Sequence, residues 1–244
     1  SMNYGLTISI SDNNPAQECM IIDEMIRNNV EGVIIVPFNE RNSSPEYINK
    51  LRKVGIPFLF AVDYYDGIDA CHVISDLETG LYNLVKYLIS LKYTDIAYLS
   101  GDPSVITLKM RENGYRRAVE EASLQSHIIR VRAVDYTEAC SVIQDCIRNG
   151  SMHRVFVCPN DMMALGVINT LRNNGISVPS ECAVTGFDNV IFSSVSSVAI
   201  TTVEQNIKRI AEKSFRLLIG MLDGNKPDRK EYLIKTRLIK RDSC

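Results

Sequence analysis

Arg111, Tyr136, Asn160 and Asp188 bring together a guanidinium, a phenol ring, a carboxamide and a carboxylate, each beside the end of an apolar run. Asn160 follows Val155–Cys158, Asp188 ends Ala183–Phe187, and Tyr136 follows Ile128–Val134. Arg111 opens the helical pattern that comes after Asp95–Ser100. If those runs are adjacent parallel strands, the four residues converge on one rim, because ligands sit at the carboxyl ends of such strands. Charged groups make charge-assisted, bidentate hydrogen bonds to vicinal hydroxyls, and an aromatic ring covers a ligand's apolar face. The set therefore suits a small polyhydroxylated molecule. Each residue also has a purely structural reading. Asn160 or Asp161 can cap the next helix. Arg111 can be a solvated residue paired with Glu112 or Glu120, Asp188 an Asx-turn residue, and Tyr136 surface packing. Their joint placement on one edge outweighs each separate alternative.

The elements that must position them alternate along the whole chain. Leu6–Ile10, Val33–Val36, Pro57–Val62 and His72–Ile74 read as strands, with helices over Pro15–Asn29 and Pro45–Val54. Further on, helices are expected over Glu78–Lys92, Lys109–Ala122, Thr137–Asn149 and Gln205–Leu222. Strands fall between them at Asp95–Ser100, Ile128–Val134, Val155–Cys158 and Ala183–Phe187, and Glu231–Lys240 reads as an extended tail. Such alternation implies right-handed crossovers and mostly parallel sheets flanked by helices, an α/β fold. Two halves of similar rhythm meet near Asp76–Gly80.

Other chemistries lack their motifs. There is no GxGxxG or Walker lysine loop for phosphates, no GxSxG elbow, and no HExxH. His72, His127 and His153 are far apart in sequence without ligand spacing, so no metal, cofactor or catalytic residue is assigned and an enzyme is not expected. Glu120-Glu121 points two ways from one helix and reads as solvated. A net charge of −2 creates no global attraction for nucleic acid. The basic residues near the C-terminus, Lys226 to Arg241, read as a solvated strand and turn. No apolar run approaches the roughly 18 residues needed to span a membrane. Seven scattered cysteines without a CxxC pair fit small buried side chains in a reducing, cytoplasmic setting.

Several stretches together resemble the ligand-sensing domain of the lactose-repressor/galactose-repressor (LacI/GalR) transcription regulators. They are DLETG (76–80), LISLKYTDIAYLSG, MRENGYRRAVEEA (110–122), NDMMALG (160–166), GISVPSECAVTGFDN (175–189) and TTVEQ (201–205), with LIKRDSC at the tail. Lys92-Tyr93 replaces the family's usual Gly-His. The resemblance implies a two-lobed, periplasmic-binding-protein-like (type I) fold, each lobe a mostly parallel sheet flanked by helices. Lobe one would hold 1–76 plus 203–225, and lobe two 77–202 plus 226–244. It implies a small-molecule effector, a sugar by the polar set, bound between the lobes by Arg111, Asn160, Asp188 and Gln205, with Tyr136 as the aromatic. Asp76 and Thr107 are weaker carry-overs because their loops vary in the family. A homodimer is implied, with operator DNA reached through a helix-turn-helix absent from this chain. An extracytoplasmic sugar-binding protein of a transporter shares the fold and is the competing reading. The chain opens at NYGLTISI, which resembles the family's second strand. Its first strand and helix are therefore expected from upstream residues or from another chain.

Overall fold

The structure, a computed structural model, describes residues 4–37 and 45–244. The chain divides into two compact units, 1–74 with 207–233, and 75–206 with 234–244.

In the first unit, helix α1 (Pro15–Arg27) starts at Asn14, whose side chain accepts from the amides of Ala16 and Gln17. This bond satisfies donors that a helix start leaves orphaned. Strand β1 (Val33–Ile35) follows, then a 3-10 turn at Pro45–Ile48, α2 (Asn49–Lys53), β2 (Phe58–Ala61) and β3 (His72–Ser75). β1 and β2, and β2 and β3, pair in parallel. Ile22, Val33, Ile35, Ile48, Leu51, Phe58 and Phe60 form the core of this unit. Helix α8 (Ile207–Leu222) packs over β1 and β2, and β9 (Glu231–Ile234) lies beside β3. Leu6–Ile10, expected as a strand, is not one. Leu6, Ile8 and Ile10 are exposed, and no described neighbour pairs with their backbone. Period-2 apolar spacing makes a strand only when an adjacent ladder satisfies its amides.

The second unit carries the elements that hold the site. Its order is α3 (Leu77–Ser90), β4 (Ile96–Ser100), α4 (Ile106–Glu121), β5 (His127–Arg130), α5 (Tyr136–Asn149) and β6 (Val155–Val157). Helix α6 (Asp161–Asn173), β7 (Ala183–Thr185), the short α7 (Phe192–Val195), β8 (Thr202–Glu204) and β10 (Arg237–Ile239) complete it. The sheet runs β5-β4-β6-β7, all parallel. Alternation along the strands sends Tyr98, Val155 and Val157 to one side, against α3 and α4. It sends Ala97, Leu99 and Phe156 to the other side, against α5 and α6. Burial on both faces explains why these strands read as continuous apolar runs. Gly114 lets α4 lie against α3: a Cβ there would collide with the Glu78 carbonyl and sit 2.9 Å from the Tyr82 amide. The tail, expected as one extended segment, is two strands broken at Lys235-Thr236. β10 turns back to pair antiparallel with β8, and Ser243 receives the Val184 amide. The α/β architecture of parallel sheets flanked by helices is as expected.

Candidate functional site

Helix α4 begins at Ile106, three residues before its expected start, so Arg111 lies inside the helix rather than opening it. Its side chain is 9% exposed, its guanidinium stands 4.6 Å over the Phe187 ring, and Nη2 lies 3.5 Å from Asp188 Oδ1. Its Nε is buried without a hydrogen-bond partner. A buried cation on an aromatic face with one long contact to its counter-ion retains unused donor capacity. The solvated-helix reading of Arg111 is excluded by this burial, and Glu112 bonds elsewhere.

Glu112 is itself buried. Ser100 Oγ donates to it at 2.7 Å, Arg130 Nη2 at 2.9 Å and Arg116 Nε at 2.9 Å. Burial opposes ionisation, but the Arg130, Ser100 and Arg116 bonds outweigh it and hold this carboxyl down at about 2. The group ties the ends of β4 and β5 to the helix that carries Arg111.

Asp188 sits where the chain leaves β7. Its φ is +103°, and Asn189 follows at +56°. Non-glycine residues in that region cost about 1–3 kcal/mol and persist where the surroundings impose them. Here the Asp188 amide donates to Val203 at 2.8 Å, so β8 imposes the turn. The carboxylate receives Gln205 Nε2 at 2.5 Å as well as Arg111, and its side chain is 30% exposed. Gln205 is fixed in turn: Ser75 Oγ donates to its carbonyl at 2.6 Å.

Below this turn lies Asp161, 1% exposed. It accepts from the Val190 amide at 2.9 Å and from Thr202 Oγ1 at 2.6 Å. Burial pushes its carboxyl up to about 6, against the pull of those two bonds. A Cβ on Gly186 would collide with the Asp161 carboxylate, so glycine is required for this approach. Arg241, from the tail, clamps the same turn through Asn189 Oδ1 at 2.6 Å and the Ile200 carbonyl at 2.8 Å.

Arg111, Asp188 and Gln205 are thus brought together. Asn160 caps α6, accepting from the Met163 amide at 2.8 Å and donating to the Val134 carbonyl at 3.1 Å. The cap is Asn160 rather than Asp161. Tyr136 is the first residue of α5, and its hydroxyl accepts from Asn169 on α6 at 3.1 Å. Asp76 caps α3 through the Thr79 amide at 3.1 Å. Thr107 lies in the first turn of α4. Arg130 and Thr202 carry no signal in the sequence, while Glu112 and Arg241, read there as solvated, bond at this rim instead. The Ser100–Glu112–Arg130 link joins three elements and has no local signature. The histidines differ from expectation too: the sheet brings His127 and His153 to 4.7 Å between ring centroids, with Asp95 beside them, at the other end of the strands.

Residues 85–244 match the family model described as a periplasmic binding protein-like domain. The HTH-type transcriptional regulator RegA of Clostridium acetobutylicum is 30% identical over 252 residues, covering 99% of this chain and 73% of that protein. The HTH-type transcriptional repressor PurR of Vibrio parahaemolyticus is 30% identical over 173 residues, covering 70% of this chain but 52% of PurR. The chain therefore spans between half and three quarters of the relatives it matches. Among solved structures, a complex of the transcriptional regulator CelR with cellobiose superposes with a TM-score of 0.83 at 20% identity, covering 94% of this chain and 70% of that one. These curated relatives are regulators rather than enzymes, and no described helix is long and apolar enough to cross a membrane. The chain belongs to the periplasmic-binding-protein-like domains of the LacI family of transcriptional regulators.

Proposed function

We propose that this chain is the sensing and dimerising domain of a cytoplasmic LacI-type regulator that binds a small neutral carbohydrate. The observation that carries the reading is the Arg111–Asp188–Gln205 group. A carboxylate on an imposed left-handed turn, still partly open to solvent, faces a buried guanidinium with donor capacity to spare. Donor and acceptor side by side match a pair of vicinal hydroxyls, and the two opposite charges need no charged ligand to balance them. Asn160 and Tyr136, with Asp76 and Thr107 as outer members, complete the proposed ligand set. The cellobiose bound by CelR supports a sugar here, and seven free cysteines favour the regulator over an extracytoplasmic binding protein. The ligand acts by binding one of two states of the domain more tightly than the other. The dimer passes that bias to operator DNA through helix-turn-helix segments of the longer regulator.

A thermal-shift screen of neutral mono- and disaccharides, sugar phosphates and nucleobases tests the ligand class, since a specific ligand raises the melting temperature by mass action. A neutral sugar is expected to stabilise the chain, and both Arg111→Ala and Asp188→Asn to remove the shift. Stabilisation by a nucleobase alone, or by a sugar equally well in both variants, sinks the reading. Sedimentation of the wild-type chain tests the dimer.

A further inference from the structure

The amino ends of β5, β4 and β6 lie side by side, because that is their order in the sheet. Strand spacing of about 4.8 Å sets what their first residues can reach. Asp95 immediately precedes β4, His127 is the first residue of β5, and His153 stands two residues before β6. His153 Nδ1 lies 2.6 Å from Asp95 Oδ1, while the Arg154 amide holds the other carboxylate oxygen at 3.0 Å. One ligand atom from each of the three residues falls within 4.8 Å of the others, and all three side chains are partly exposed. The backbone beneath is fixed: the Tyr115 hydroxyl receives the His127 amide at 2.8 Å and donates to the Ile96 carbonyl at 2.8 Å.

We propose that Asp95, His127 and His153 form a binding site for a late first-row divalent metal ion, zinc foremost. Two imidazoles and one carboxylate are borderline-soft donors that select such ions over calcium or magnesium, which want mainly oxygen ligands. At zinc–ligand distances of about 2.1 Å, tetrahedral ligand atoms stand about 3.4 Å apart, so closing from 4.8 Å takes modest side-chain rotation. Three protein ligands with partial exposure leave a fourth position for water. Cys182 is nearby, but its Sγ is turned onto the His153 carbonyl at 3.4 Å and the Ala183 carbonyl at 3.7 Å, so it is not the fourth ligand. A bound ion would tie three strands together at the end of the sheet away from Arg111 and Asp188.

The whole 244-residue chain, freed of metal with EDTA, is titrated with zinc chloride by calorimetry, and cobalt(II) serves as a spectroscopic probe. Saturable binding of one ion is expected, with cobalt d–d absorption and no thiolate-to-metal charge transfer. His127→Ala, His153→Ala and Asp95→Asn each weaken zinc by at least about tenfold. His72→Ala serves as the control and changes nothing. Melting curves of the metal-free variants separate lost binding from lost folding. Should His153→Ala not fold, His127→Ala decides. Unchanged affinity in the His127→Ala variant, charge-transfer absorption diagnostic of cysteine ligands, or no saturable binding by the wild type overturns the proposal.

Discussion

The two ends of the second unit's sheet share the same strands but treat charge in opposite ways. At the carboxyl ends, Arg111, Glu112 and Asp161 are buried, and the two carboxyls are displaced in opposite directions, Glu112 to about 2 and Asp161 to about 6. At the amino ends, Asp95 and His153 form their pair with side chains 40% and 18% exposed. The connectivity explains the contrast. The carboxyl ends of β4, β5 and β6 each run into a helix that folds back over the sheet, so loop and first-turn side chains are pressed inward there. The amino ends receive chain arriving from helix C-termini, and their polar groups stay near water. The first rim can therefore store electrostatic energy for recognition, whereas the second can offer ligands that rearrange cheaply.

Removing Arg111 should break the first rim most. Arg111→Ala removes the buried guanidinium that faces Asp188, and truncating one partner of a hydrogen-bonded charge pair costs about 2–5 kcal/mol, or roughly one and a half to three and a half orders of magnitude in affinity. Calorimetry with the stabilising sugar should show that loss, whereas His127→Ala at the other rim should bind the sugar as wild type does. Equal losses in both variants would mean that the two rims are not independent sites.

Glu112→Gln comes next. Its carboxyl is held below its unfolded value, so its contribution is present above about pH 4.5 and is lost as pH falls toward 2. The displacement corresponds to roughly 3 kcal/mol at neutral pH. Urea denaturation at pH 7 should show a loss of that order in the variant. At acid pH the variant and wild type should converge. A uniform difference at every pH would assign the loss to packing rather than charge.

Asp161 should give the opposite slope. Its folded value is raised to about 6, so its own contribution is fullest below about pH 4 and declines as pH rises through 6. The decline is roughly 2–3 kcal/mol. Asp161→Asn should flatten it, read as urea midpoints between pH 4 and 7. A wild-type-minus-Asp161→Asn difference that stays flat over that window would show that Asp161 ionises without difficulty beneath its two hydrogen bonds.

The sequence made this rim partly legible and the other rim not at all. Strand ends were readable from where apolar runs stopped, and Asp188 and Asn160 were found that way. Arg111 was found although its helix starts earlier, because Val105-Ile106 carries no side-chain cap to mark the start. Tyr136 also follows a strand, and what that position does not convey is that α5 begins at this residue and that Asn169 donates to its hydroxyl. Leu6–Ile10 had a strand's spacing but no ladder neighbour. Glu112 reads from the sequence only as a solvated partner for Arg111, since its actual partners Ser100 and Arg130 come from two other elements. His127 and His153 are separated by a whole strand–helix passage, and only the order β5-β4-β6 makes them neighbours.

Asp95→Asn should have the smallest effect and so sharpens the contrast between rims. In metal-free protein the Asp95–His153 pair is partly exposed, and pairs of that kind contribute between zero and about 1 kcal/mol because solvent screens them and side-chain entropy opposes them. Asparagine keeps an oxygen that can still accept the Arg154 amide, which limits the loss further. Urea denaturation with EDTA present should therefore place Asp95→Asn within about 1 kcal/mol of wild type, against roughly 3 for Glu112→Gln. A cost near that of Glu112 would mean that charge at the amino ends is as strongly coupled to folding as charge at the carboxyl ends. The contrast would then reflect the chemistry of the residues and not the end of the sheet on which they stand.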